Sequence, residues 1–301
     1  MDSLIEDQKL INSKLHISTI STTCKIGDTI INIENIYNYL PVSENNILLI
    51  NYKNTYKTID ENLIKKKKKK TKKITKKVNN FFNQITLLIV TDENKKINTK
   101  LFTNGSVQMT GSKNISDNFI ILNKLIECLK TTYNIDGKEI KFVENPNSLK
   151  ITDFKISMIN TNFGIGNKII SENMLAVIKE NNVPNIKAKL KTDIHAALNI
   201  ELIVNNSIVT ILVFNTGNII ITGGKNSTHI NTAYEYINEL IDNNKSRIIK
   251  NYISNIPDEV LDKVSDEVLD EVLDEVLDKI LDKVSDLEDN ILNSVQSLVI
   301  S

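Results

Sequence analysis

A chain of 301 residues with 41% apolar side chains can build one large domain or two small ones, and is too apolar to be disordered throughout. Its formal charge of zero balances 37 basic against 37 acidic side chains, and no apolar run reaches the ~18 residues of a membrane span. Two cysteines and three histidines are too few for a disulfide scaffold and poor material for a metal site.

The first 14 residues read as an N-terminal extension. MDSLIEDQKL has no long apolar stretch, so a secretory leader is not expected and a reducing compartment is. HISTIS (16–21) alternates like a strand, and a helical stretch follows at about 28–40. Residues 43–78 read as an inserted, largely disordered loop. It holds KKKKKKTKKITKK (65–77), ten lysines in thirteen positions, whose mutual repulsion keeps them solvated. Such a run suits a polyanion, because each lysine can neutralise a phosphate and release a counterion.

TLLIV (86–90), TKLFT (99–103) and VQMTG (107–111) then read as a strand meander, with Asn104-Gly105 as a hairpin turn. An amphipathic helix follows, carrying Ile121, Leu122, Leu125, Cys128 and Leu129 on one face. DFKISMI (153–159) begins a second series, with a helix at about 171–182. Strands NIELIV (199–204), IVTILVF (208–214) and NIIITG (218–223) come next, then a helix with Ala233, Tyr234, Ile237, Leu240 and Ile241 on one face. Ser116 and Ser227 or Thr228 suit the N-caps of the two long helices. From residue 249 the chain is an acidic tail of tetrad repeats. Residues 258–289 carry fourteen acids against three lysines. A period of four drifts ~40° per repeat around a helix, so this stripe suits no single flat surface.

The two series are copies. LFTNGSVQMTGSKN (101–114) and VFNTGNIIITGGKN (213–226) match at a constant offset of 112, pairing Phe102 with Phe214, Gly105 with Gly217, Thr110 with Thr222 and Lys113 with Lys225. The helical stripes match at the same offset. Repeat 1 therefore spans residues 15–130 and the linker with repeat 2 spans 131–248. Strand, helix, antiparallel strands and long helix, written twice, predict an α+β fold with helices on one face of a curved sheet.

These motifs resemble the TATA-box-binding protein family. That family carries F-x-S-G-K-φ-V-x-T-G-A-K in both halves, where φ is apolar; the chain has FTNGSVQMTGSK and FNTGNIIITGGK. TDFKISM (152–158) and ISTISTTCKI (17–26) resemble two further family strands. The resemblance covers about residues 15–42 and 80–248. It implies a duplicated saddle whose concave sheet binds double-stranded, A·T-rich promoter DNA in the minor groove. It also implies initiation factors and RNA polymerase as partners, and no cofactor or small-molecule substrate.

Carried over residue by residue, Phe102 and Phe214 fall on inner wedges, and Phe82 on an outer wedge. His195, or Ala196 if the gap shifts, stands where the second outer wedge is expected. Thr110, Thr222, Ile17, Asn160, Leu212 and Ile220 fall on groove-facing positions, and Lys113 and Lys225 on phosphate contacts. The family's central asparagines read Leu15 and Met158 here, and a phosphate-contacting arginine reads Leu88 and Glu201. These departures leave a second reading open, a protein-interaction module of the same fold that has lost groove reading. A third is a packaging protein acting through the lysine run. No nucleophile–histidine–acid set or carboxylate pair with credible spacing supports an enzyme. The composition, rich in Ile, Asn and Lys, suits an AT-rich large DNA virus or protist, with the protein in a nucleus or a cytoplasmic viral factory.

Overall fold

A computed structural model describes residues 2–64, 82–190 and 197–250. The lysine run, His195, Ala196 and the acidic tail lie outside the described residues. Helix α1 (Asp2–Lys9) precedes β1 (His16–Lys25), α2 (Ile33–Tyr39), β2 (Ile47–Tyr52) and β3 (Thr55–Thr58). Then come β4 (Gln84–Val90), β5 (Lys96–Phe102), β6 (Ser106–Ser112) and the long helix α3 (Ile115–Lys130). A small hairpin, β7 (Tyr133–Ile135) and β8 (Lys138–Ile140), leads into β9 (Thr152–Gly164). The second series is α4 (Ser171–Asn181), β10 (Ile186–Leu190), β11 (Ala197–Val204), β12 (Ser207–Phe214), β13 (Asn218–Gly224), α5 (Ser227–Asn243) and α6 (Lys245–Ile248).

Eleven strands form one antiparallel sheet in the order β10-β11-β12-β13-β9-β1-β6-β5-β4-β2-β3. The order is a palindrome about the β9–β1 pair, once β3 is set aside. The register there is two-fold as well. Ile20 pairs with Ile159 at the axis, and Thr19↔Asn160 mirrors Ser21↔Met158. Farther out, Ile17↔Thr161 mirrors Thr22↔Ile156, and His16↔Asn162 mirrors Thr23↔Lys155. The first strands thus correspond at an offset of 139, from Ile20 to Ile159.

Strand alternation sorts every side chain to one face or the other. The helical face takes Ile85, Leu87, Ile97, Leu101, Val107 and Met109 from repeat 1, and Ile200, Val209, Ile211, Val213, Ile219 and Ile221 from repeat 2, all fully buried or nearly so. The stripes expected of the long helices meet them: Ile121, Leu122, Leu125 and Leu129 of α3, and Ala233, Ile237, Leu240 and Ile241 of α5. One continuous core results, on one side of the sheet.

Three expectations are corrected. Residues 43–78 are not a loop throughout, because ILLINY (47–52) is a sheet strand paired with β4 and occupies the place that β10 holds in repeat 2. Four consecutive apolar residues hide the alternation there, so the run looked unpatterned. The extra hairpin strand β3 has no counterpart among the described strands of repeat 2. The N-caps are Asn114 and Asn226, not the serines; the Asn226 side chain accepts the His229 N–H at 2.9 Å. Finally, Ile17 does not share the face of Asn160. Ser18 is bulged, and Ile17 pairs with Thr161, which pairs in turn with core residue Ile221. Ile17 packs against the helix-side core.

Helix α1 was not foreseen. It crosses the start of both long helices. Gln8 accepts the Ile115 N–H at 2.9 Å and donates to the Lys113 carbonyl at 3.0 Å, closing the N-terminus of α3. Its neighbour Asp7 accepts the Ser227 N–H at 2.9 Å and the Ser227 hydroxyl at 2.6 Å, closing that of α5. A carboxylate is favoured there by the helix dipole. Asn231 of α5 adds bonds to the Asn12 N–H and the Leu10 carbonyl.

Candidate nucleic-acid interface

The described helices pack on one side of the sheet, so the other side is a helix-free face built by the alternate residues of each strand. At its centre, around the two-fold, stand Thr19, Ser21, Met158 and Asn160. The Thr222 hydroxyl donates to Asn160 Oδ1, and Thr19 Oγ1 accepts the Gly111 N–H at 3.0 Å. The Ser21 hydroxyl, 3% exposed, has no hydrogen-bond partner among the described residues. Asn160 therefore belongs to the helix-free face. Its symmetry mate is Ser21, four residues beyond the expected Ile17. Only the cross-strand pairing fixes this register.

Each repeat next contributes a cross-strand rung of threonine with its neighbour, Asn98↔Thr110 and Thr210↔Thr222. The following rung is Lys100↔Gln108 in repeat 1 and Leu212↔Ile220 in repeat 2. The offset of 112 maps Leu212 and Ile220, which the resemblance named, onto Lys100 and Gln108, which the sequence reading did not name.

Beyond these rungs lie the two hairpin turns. Phe102 and Phe214 end β5 and β12, each half-buried, and each carbonyl accepts the turn glycine's N–H, Gly105 at 3.0 Å and Gly217 at 2.9 Å. Both glycines have positive φ, +79° and +91°. The turns are held from behind by matching bonds. Ile26 N–H reaches the Gly105 carbonyl and Ile31 N–H the Thr103 carbonyl; Ile165 and Ile169 do the same to Gly217 and Asn215, all within 2.8–3.1 Å. A side chain at 217 would meet the Asn167 carbonyl at 2.1 Å, so glycine is required for this close approach. The turn that carries each phenylalanine is thus fixed to its first strand's exit loop.

Phe82 is 66% exposed and sits just past Gln84, the register partner of Phe102. The Asn83 carbonyl accepts the Thr103 N–H at 3.0 Å, so Phe82 and Phe102 belong to the same end of the sheet. In repeat 2 the partner of Phe214 is Ala197. The positions before Ala197, His195 and Ala196 among them, lie outside the described residues.

Lys113 and Lys225 are exposed, each one residue before an N-cap asparagine. Lys113 Nζ lies 3.3 Å from His16 Nε2. The Lys225 N–H donates to His229 Nδ1 at 3.3 Å, and burial together with the Lys225 charge holds His229 below its ordinary pKa. Glu201, the charge of the wrong sign, is the register partner of Lys187, and Lys189 extends the same exposed side of β10. Among the described residues no cluster of histidine, cysteine and carboxylates could hold a metal ion, and no helix is long and apolar enough to cross a membrane.

The chain is 35% identical over 259 residues to a TATA-box-binding protein-like protein of Acanthamoeba polyphaga mimivirus, covering 79% of this chain and 68% of that one. The chain belongs to the TATA-box-binding protein family. The family profile described as transcription factor TFIID, or TATA-binding protein, matches residues 175–244, from α4 through α5. Among solved structures, the TATA-binding protein of Methanococcus jannaschii aligns with a TM-score of 0.46 at 19% identity, over 76% of this chain and 99% of that one.

Proposed function

We propose that this TATA-box-binding-protein-like chain is a transcription initiation factor that seats its helix-free face on the minor groove of A·T-rich promoter DNA. On this reading it bends the duplex and offers its helical side to initiation factors and polymerase. The observation that carries the proposal is the pair of phenylalanine turns, placed alike about the two-fold and each fixed by a glycine that admits no side chain. Half-buried rings on braced turns suit insertion between base steps, which takes their remaining apolar surface out of water. Pyrimidine–purine steps unstack most easily, so a wedge gains sequence preference without hydrogen bonds. Work of this kind needs no catalytic step. It belongs where promoter DNA is, in a nucleus or a viral factory.

The departures noted in the sequence have compensations. Asn160 supplies an amide two residues from Met158 on the same strand and face, and Lys187 opposes Glu201. Binding and bending are best measured together on a short duplex labelled at both ends. An A·T-rich duplex should shorten end to end on adding protein, and a G·C control should not. Affinity should fall as salt rises. Phe102→Ala/Phe214→Ala should lose the bend and at least tenfold in affinity while retaining the circular dichroism of the parent. Equal binding to both duplexes without bending would overturn the proposal.

A further inference from the structure

Phe82 is the large apolar side chain at the repeat 1 end that packing does least to hold, at 66% exposed. A cation meets its ring. Lys53 Nζ lies 5.6 Å from the Phe82 centroid, 4.7 Å from the Tyr52 centroid and 3.1 Å from Glu34 Oε1. Tyr52 belongs to the core, is 7% exposed, and donates its hydroxyl to the same Glu34 oxygen at 3.4 Å. The ammonium therefore stands between a buried ring and an exposed one, with a carboxylate as its tether. Lys53 reaches this place because β2 and β3 are joined by the two-residue turn Lys53-Asn54, whose φ angles are +48° and +61°. The described strands of repeat 2 include no such hairpin.

We propose that Lys53 is a positioning residue for Phe82, and that the extra hairpin of repeat 1 serves to hold a cation against this ring so that it is set before DNA arrives. The inference rests on the reading of Phe82 as an outer wedge. The face of an aromatic ring is electron-rich, so an ammonium within ~6 Å attracts it. At an exposed site that attraction shifts a ring's population by about two- to fivefold. It acts on the ring's face without burying the ring, so apolar surface stays free to enter a base step. A ring already set loses less rotamer freedom on insertion, and the difference is gained as affinity. A lysine that served only to touch phosphate would need neither ring, and the Glu34 carboxylate would oppose it. Between two rings, the same carboxylate keeps the ammonium in place.

The test uses the full chain, which has no tryptophan of its own. Phe82→Trp puts a lone indole at the wedge, and its fluorescence anisotropy decay in the absence of DNA reads how firmly the ring is held. Lys53→Met in that background keeps the apolar stem and removes the charge, so the residual anisotropy should fall. Lys53→Arg keeps the charge and should leave it high. With the native Phe82 and an A·T-rich duplex, Lys53→Met should weaken Kd about two- to fivefold and leave the slope of log Kd against log salt unchanged. In a Phe82→Ala background the same change should cost nothing further. Unaltered anisotropy, an equal cost with and without Phe82, or a slope reduced by about one, the mark of a phosphate contact, would each overturn the inference while leaving the wedge intact. Phe82→Ala binding as tightly as the parent would instead overturn the wedge reading of Phe82, and the inference with it.

Discussion

The brace made by α1 gives a sharp test of how the two repeats are held. Asp7→Ala removes two hydrogen bonds from the first turn of α5, a 17-residue helix. A charged cap in that position is worth ~1–2 kcal/mol. Gln8→Ala removes the acceptor of the Ile115 N–H and a donor to Lys113, worth about 1 kcal/mol. A described unit of this size loses roughly 2–4 °C in Tm for each kcal/mol. Asp7→Ala should therefore lower the Tm, followed by circular dichroism, by ~2–8 °C and Gln8→Ala by ~2–4 °C. Both side chains hold the same short helix, so the double variant should fall short of the sum. Once α1 is detached, the second cap is already lost, and a double-mutant cycle reads that shortfall as coupling. Unchanged Tm in both single variants would refute the brace. Strict additivity would refute the idea that α1 docks as a unit.

Other outcomes follow from particular residues. Gly217→Ala should destabilise the chain by ~3 kcal/mol or more in urea unfolding, because the new Cβ meets a carbonyl in a backbone of positive φ; Gly137→Ala, at φ +76° with nothing within 4 Å, should cost only ~1 kcal/mol. His229 has a depressed pKa when folded, so the unfolded chain binds its proton first. Its contribution is present above the unfolded value near 6.5 and is lost as pH falls through that value toward the folded one. The Tm should drop across that window, and His229→Gln should flatten the drop. Burial pushes the Cys24 thiol up to about 12 and raises Cys128 less far. A disulfide reagent at pH 8 should label half-buried Cys128 first and reach Cys24 only on unfolding.

Most of the architecture was legible in the sequence because duplication doubles each signal. Strands β4 and β5 alternate, β12 and β13 are recognised by their match to β5 and β6, and the helical stripes recur at the offset that joins the phenylalanines. Where the two copies drift apart, pattern gave less. Strand β2 was lost because its apolar run does not alternate. The centre of the face was placed four residues off in repeat 1 because the register, with its bulge at Ser18, is fixed only by cross-strand pairing. Helix α1 has no buried residue of its own, and its two caps are contacts of residues more than a hundred positions apart. Lys100 and Gln108 escaped because a search for what a groove-reading family preserves passes over what one member has changed.

The sheet also has two rims. Eleven strands at ~4.8 Å spacing make a ribbon about 48 Å across, and its outermost strands, β10 and β3, have no further strand beside them among the described residues. Such rims are templates for the next copy, and a chain this rich in isoleucine invites polymerisation through them. On β10 the exposed positions are Lys187 and Lys189, which would face like charges in a neighbour. On β3 the rim is only four residues long, and Lys57 spends its ammonium on the carbonyls of Asn38 and Leu40. Among the described residues, two lysines and the shortness of one strand guard these rims. Replacing Lys187 and Lys189 with valine should promote edge-to-edge association, seen as light scattering that rises with concentration, before it alters anything in the core.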